Sequence, residues 1–278
     1  MFETNPFAEL SAHISPEVMQ IYVILMVVAV VLGTILDMLH KKSAEYFFEN
    51  AEKAKKSAKR TLGGGEKASL AVKTLANEVL TSAEFKVRPA RRYSHLLTMY
   101  GFIIFVACTA LLIFRHTGEG AAAPMALTSL WHLGAIMLCL GGYWFWFFIR
   151  VDVSSEGVKW YNFNGRGDIF IVSLIAMGTF ALLWSGTQNM ILFGLFILSS
   201  TLLFCTVFWS KFAHMFFKPA AAYQKRCIKA DGSAENLPEI GDLSDPAIQA
   251  KYPDIPEYMG ENPSYMGLGI KREAPRHF

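Results

Sequence analysis

Charged residues are scarce in this sequence. Asp, Glu, Lys and Arg make up 18% of its 278 residues, and hydrophobic residues make up 53%, whereas a soluble domain has about 25% charged residues. The apolar residues are continuous rather than alternating, so helix is the spanning form they predict. Each run approaches the roughly 20 residues that cross a bilayer as helix. The sequence therefore predicts an all-α integral membrane bundle of five transmembrane helices, over 18–39, 94–114, 129–149, 169–185 and 190–210.

Basic residues are missing before the first run. Residues 1–17 contain three Glu and no Lys or Arg, which argues against a cleaved signal peptide. The loop 40–92 holds thirteen Lys and Arg against six Glu. By the positive-inside rule this loop is cytoplasmic, the N-terminus is outside and the C-terminus is cytoplasmic. This topology puts 25 of the 26 Lys and Arg inside. A re-entrant fourth run would put the tail outside, which the charges disfavour. We expect a multi-pass protein of a prokaryotic cytoplasmic membrane.

Two segments outside the apolar runs carry the charged residues. The loop has two helix-favouring stretches separated by Gly63-Gly64-Gly65, with no Lys-Ser or Lys-Thr at P-loop spacing. It predicts a basic helical hairpin that either lies on anionic lipid or docks a soluble subunit. The tail is rich in Pro and Tyr, and its composition favours an extended segment that orders on a partner. The predicted segments are 1–17 (outer), 18–39 (first transmembrane helix), 40–92 (hairpin), 93–218 (four-helix transmembrane region) and 219–278 (cytoplasmic docking tail).

The four cysteines include no Cys-x-x-Cys pair. They cannot form an iron–sulfur site of ordinary spacing, and we interpret them as packing residues or free thiols. If the chain moves electrons, its iron–sulfur or flavin partners are other subunits.

Two histidines lie at the ends of apolar runs, at matched depth on the cytoplasmic side: His95 and His214. Ionisable side chains in a membrane mark functional sites, and two imidazoles from facing helices are the axial ligands of a b-type haem. The alternative is a pair of interfacial histidines that reach toward water. Gly101 would leave room for a porphyrin edge. The candidate partners of the haem propionates are Arg91, Arg92, Arg150 and Lys211.

A second candidate site lies near the outer surface, where His116, Glu119 and His132 could form a quinone or second-haem site. Solvated interfacial residues are the simpler interpretation, and a quinone site near the inner haem is a further alternative. The six tryptophans fall mostly near the ends of the runs, which is typical of an interfacial aromatic belt.

Two segments resemble a known family. Ser-Lys-Phe-Ala-His-Met, followed by Lys-Pro and Tyr-Gln-Lys-Arg (210–226), resembles the last helix of the nitrate-reductase gamma-subunit-like cytochromes b. Arg-Arg-Tyr-Ser-His-Leu-Leu-Thr-Met-Tyr-Gly-Phe (91–102) resembles a haem-ligand helix in related membrane proteins, including the cytochrome b of the quinone-interacting membrane oxidoreductase complex. The ending 267–278 is similar to the membrane anchor of dissimilatory adenylylsulfate reductase.

This resemblance implies that His95 and His214 ligate one haem b. A second haem in the family's manner is in doubt, because 194–198 contains no ligand. It implies electron transfer between the quinone pool and a cytoplasmic iron–sulfur or flavin oxidoreductase, plausibly adenylylsulfate reductase in sulfur metabolism. The direction of electron flow stays open. One rival is a haem-free anchor for the soluble enzyme. The other is a small transporter, disfavoured because the runs lack central charges and paired Gly or Pro interruptions. Nucleic acid is not expected as a partner.

Overall fold

The computed structural model describes residues 4–233 apart from 42, 87, 119 and 154, with the backbone alone at 41, 43–46 and 214. Over these residues every regular element is a helix, so the all-α prediction is confirmed. Short π-helical turns follow α4 and α6 below, at Leu75–Leu80 and Phe145–Ile149. The α-helices are α1 (Pro6–Leu10), α2 (Pro16–Lys41), α3 (Ser43–Lys56), α4 (Gly64–Thr74), α5 (Pro89–Arg115), α6 (Met125–Trp144), α7 (Gly165–Thr187), α8 (Met190–Cys205) and α9 (His214–Ala230).

Four helical stretches in the described part of the chain are long and apolar enough to cross a membrane. They confirm the multi-pass prediction in its coarse form and agree with the first four predicted runs. The fifth apolar helix, α8, has 16 residues and is therefore about 24 Å long, against about 30 Å for a bilayer core. The four stretches are Pro16–His40, Pro89–Arg115, Met125–Ile149 and Gly165–Thr187.

The fifth run does not continue as one helix to residue 210. Its helix ends at Cys205, where Thr206 Oγ1 donates to the Leu202 carbonyl at 2.6 Å. Ser210 Oγ then accepts from the Phe212 backbone N–H at 3.2 Å. Hydroxyl side chains that bond nearby backbone groups compete with helix continuation in this way. His214 is consequently the first residue of α9 and not the end of the fifth apolar helix.

The closest helix contact joins α5 and α6, and glycines make it possible. A Cβ added at Gly101 would lie 2.4 Å from the Leu138 backbone nitrogen, and one at Gly134 would lie 2.7 Å from the Phe105 nitrogen. Small residues let membrane helices approach to backbone contact in this manner. The expectation that Gly101 leaves room for a porphyrin edge is therefore wrong, because α6 fills that space.

The N-terminal helix α1 closes one end of the bundle. The ring of Phe7 lies 5.8 Å from that of Trp131 and 5.3 Å from that of Trp184. Both tryptophans are fully buried, so they belong to the core and not to an interfacial belt. The Asn5 side-chain amide donates to the His116 carbonyl at 2.7 Å, which ties α1 to the end of α5.

Helices α3, α4 and α9 pack together at the opposite end, and we call them the hairpin layer. Its small interior contains Ala54, Leu62, Thr74 and Ile228. The predicted tail begins at residue 219, whereas α9 runs through Pro219 to Ala230 and is part of this layer. The predicted docking segment beyond residue 233 lies outside the described residues.

Candidate functional site

His95 supports the end of the hairpin segment. Its Nδ1 lies 3.0 Å from Ser82 Oγ, and its ring centroid lies 5.3 Å from that of Phe85. Ser82 is buried and has a left-handed backbone (φ 45°), a conformation that costs free energy in a residue other than glycine and persists when its surroundings hold it. His95 is one of the side chains that hold it.

The other member of the predicted haem-ligand pair, His214, has no described side chain. The structure therefore does not test the pair. Depth alone also supports it less than before, since His214 begins a new helix.

The four cations predicted to surround the haem propionates serve different places. The Arg91 guanidinium lies 5.2 Å from the centre of the Phe85 ring, and Arg92 Nε donates to the Thr81 carbonyl at 2.8 Å. Both arginines thus hold the same segment as His95. Lys211 is exposed at the start of a short 3₁₀ turn. Arg150 is buried in an internal ion pair.

The Arg150–Asp168 pair fastens the end of α6 to the start of α7. The guanidinium contacts the Asp168 carboxylate and donates to the carbonyls of Lys159 at 2.9 Å and Asn162 at 2.8 Å. It also lies 4.3 Å from the centre of the Trp146 ring. Asp168 accepts the Asn164 backbone N–H at 2.7 Å. This clasp was missed from the sequence, although an Arg and an Asp at facing ends of apolar runs were a usable signal.

The predicted outer site is not assembled by the contacts of its described members. The His116 ring Nδ1 lies 3.0 Å from the Ala122 carbonyl and must donate to it. Glu119 lies outside the described residues. His132 is fully buried, with Nδ1 2.7 Å from the Thr128 carbonyl.

His132 instead pairs with a serine of α7. Because the Thr128 carbonyl can only accept, His132 Nδ1 carries the proton and Nε2 accepts from Ser185 Oγ at 2.7 Å. Ser185 is also buried. This contact joins α6 to α7 beside the Phe7 cluster, and its burial fits a packing role.

Two ion pairs connect α9 to the hairpin segment. Arg226 lies 2.6 Å from Glu78, and Lys218 contacts Glu84. On the α3–α4 connection, Arg60 pairs with Glu66 at 2.5 Å and donates from Nε to the Ala230 carbonyl at 2.7 Å. The hairpin layer is therefore an interlocked unit and not a pair of free basic helices.

A groove of about 430 Å³ opens between α3 and α9 in this layer. Its polar lining is cationic and amidic, with an ammonium group on each wall. The lining residues are Phe47, Asn50, Lys53, Ala54, Ala221, Gln224 and Lys225.

A second crevice, of about 500 Å³, lies between α2 and the helices α5 and α8. Its lining is almost wholly apolar, for example Val30, Phe102 and Phe196. Such a lining suits hydrocarbon and not a charged solute. Among the described residues, no group of three or more His, Cys, Asp and Glu side chains is placed to hold a metal ion.

A multi-pass set of apolar helices that carries a structured basic layer defines an all-helical protein of the membrane type. The sequence profile of the citrate utilization protein B (CitB) family matches residues 22–235, which is most of the chain. The chain belongs to this family. The match includes all the long apolar helices and the hairpin layer. The chain matches none of the curated proteins and none of the solved structures.

The family match corrects the resemblance drawn from the sequence. The chain is not a nitrate-reductase gamma-subunit-like cytochrome b, and the predicted electron transfer between quinone and adenylylsulfate reductase is wrong. The description of the chain as a haem-bearing electron-transport protein in sulfur metabolism fails with it. That resemblance depended on short basic and aromatic segments at helix ends, which membrane proteins share for interfacial reasons. The predicted partners, quinone and oxidoreductase subunits, and the His95–His214 ligand pair stay untested predictions.

Proposed function

We propose that this protein is a membrane-embedded component of citrate utilization that works through its hairpin layer, where it holds a soluble citrate-converting enzyme at the membrane. The CitB family match over residues 22–235 carries the link to citrate. The link to the membrane comes from the four long apolar helices. The working surface is inferred from the hairpin layer, in which basic residues are held by ion pairs to α9.

The proposed arrangement puts the hairpin layer on the cytoplasmic face of a prokaryotic cytoplasmic membrane. Thirteen Lys and Arg in 40–92 favour this orientation. In it, the fifth crossing is made by the 16 residues of α8 together with the turn after it, 206–210. The N-terminal helix α1 then lies at the outer surface.

A docking role accounts for the polar groups better than transport does. The strongest charged contact within the bundle, Arg150 with Asp168, lies where α6 and α7 end and not at mid-membrane. The large crevice along α2 is apolar. A carrier of a trianion needs polar groups near the membrane centre. By contrast, the hairpin layer offers many exposed cations, and clustered cations attract an acidic partner.

Deletion of the gene in its own host tests the proposal. We expect growth on citrate to fall while growth on glucose is unchanged, and the citrate-converting activity to move from the membrane fraction to the soluble fraction. Uptake of labelled citrate should persist. Loss of uptake with an unchanged distribution of the activity would show a transporter instead, and normal growth on citrate would refute the proposal.

Charge-swap variants locate the working surface. Arg226→Glu and Glu78→Arg each break the 2.6 Å pair that joins α9 to the hairpin segment, and the double swap restores opposite charges. If docking needs the intact layer, each single variant should fail to restore growth on citrate and the double variant should restore it. Equal growth of all three, with equal protein in the membrane, would contradict this assignment.

A further inference from the structure

We propose that the groove between α3 and α9 binds a small di- or tricarboxylate, with Lys53 and Lys225 as its charge partners. The inference rests on the proposed role in citrate utilization and names the site at which the layer senses the acid itself. The groove volume, about 430 Å³, lies in the usual range of ligand pockets, about 300–1,000 Å³.

The polar groups of the groove are of the kind that carboxylates need. Lys53 on α3 and Lys225 on α9 supply ammonium groups from opposite walls, and each can donate up to three hydrogen bonds. Asn50 and Gln224 add neutral amide donors beside them. The remaining walls, including Phe47, are apolar and exclude water from part of the groove. Two cations and two amides match a molecule with several carboxylates better than one with a single carboxylate.

Lys225 differs from its neighbours because its charge is not used within the described part of the fold. Arg226 is committed to Glu78, and Lys218 to Glu84. No ion pair joins Lys225 to a carboxylate of the described residues, and its side chain lines the groove. A cation kept beside a groove without a protein counter-ion is available to an anionic ligand.

Lys53 already has a partner, Glu49, at 2.6 Å on the next turn of α3. The hydrogen bond and the charge of Lys53 lower the pKa of the Glu49 carboxyl, which therefore stays ionised at neutral pH. Both side chains are more than half exposed, and such exposed pairs contribute little to stability. A ligand carboxylate can share Lys53, while the Glu49 charge disfavours ligands that place negative charge near that end.

Binding would join two helices that belong to different parts of the chain. A ligand held by both walls binds the packed layer and not the separated helices, so by mass action it stabilises the layer. The citrate level would in this way set how firmly the docking surface is assembled.

The test measures citrate binding to the purified full chain in phosphatidylcholine nanodiscs by calorimetry. We expect citrate to bind more tightly than succinate, and succinate more tightly than acetate. Lys53→Gln and Lys225→Gln should each weaken citrate binding about tenfold, which corresponds to about 1.4 kcal/mol. The matched control is Lys73→Gln, which removes an exposed cation of the same layer outside the groove. Its affinity should stay within twofold of the wild type.

Three results would overturn the proposal. One is an absence of citrate binding, and another is an equal loss in Lys73→Gln, which would indicate screening of the whole basic surface. The third is loss of citrate binding in nanodiscs that contain phosphatidylglycerol, which would assign the groove to lipid headgroups. Any of these, with the growth defect of the deletion strain intact, would refute the groove and leave the membrane role standing.

Discussion

Replacement of Asp168 by Asn is expected to destabilise the membrane bundle more than any single change in the hairpin layer. The Asp168 side chain is 9% exposed and that of its partner Arg150 is 1% exposed. Removal of one member of a buried pair leaves an uncompensated charge, which costs about 3–5 kcal/mol. After the change, the guanidinium keeps two carbonyl acceptors and the face of Trp146, but no anion.

The reverse change, Arg150→Met, should cost a similar amount for a different reason. Asp168 keeps the Asn164 N–H and its place in the first turn of α7, which favours a carboxylate by about 0.3–1 kcal/mol. However, the two loop carbonyls lose their donor, at about 1 kcal/mol each. The double variant Arg150→Met/Asp168→Asn should cost less than the sum of the two, with a coupling of at least about 2 kcal/mol.

The assay is unfolding by a denaturing detergent in mixed micelles, followed by tryptophan fluorescence, since Trp146 lies against the guanidinium. The matched control is Glu66→Gln, which breaks an exposed pair with Arg60 and should cost under about 1 kcal/mol. Additive costs in the cycle, or single variants no worse than Glu66→Gln, would refute the reasoning that this pair fastens α6 to α7.

Three further changes test the packing. Gly134→Val should destabilise the bundle by about 1–3 kcal/mol or more, because its Cβ would meet backbone at 2.7 Å, whereas Gly194→Val, which has open space, should be nearly neutral in thermal unfolding. Ser185→Ala should cost about 1–3 kcal/mol in the same assay, because it removes the donor to a buried histidine nitrogen; an unchanged melting temperature would contradict this. Arg226→Glu should raise amide hydrogen exchange in α4 and α9, with recovery when Glu78→Arg is added.

The membrane helices were predictable because length and apolar content decide them. The runs 18–39 and 94–114 lie inside α2 and α5, and no tertiary information was needed for this. The break after Cys205 was not predictable from apolar content alone, since Thr206 and Ser210 are tolerated within membrane helices when their hydroxyls bond back to the preceding turn. Their effect depends on the next segment of the chain, the short turn before α9.

The candidate site was predicted less well, because chemistry depends on pairings between distant positions. Arg150 was assigned to a bound group, yet its partner Asp168 lies 18 residues further along the chain. Gly101 was interpreted as an opening, although only the approach of α6 shows that backbone fills it. The groove residues Lys53 and Lys225 come from helices far apart in sequence, and no local pattern joins them.

The seating of α1 has a consequence for how the protein is made. Phe7 and Leu10 are buried, yet the tryptophans that hold Phe7, Trp131 and Trp184, are encoded more than a hundred residues later. At typical synthesis rates of about 5–20 residues per second, Trp184 follows Phe7 by roughly 9–35 s. Throughout that interval the start of the chain has no partner to bury it. The first residues to leave the ribosome are therefore among the last to reach their final place.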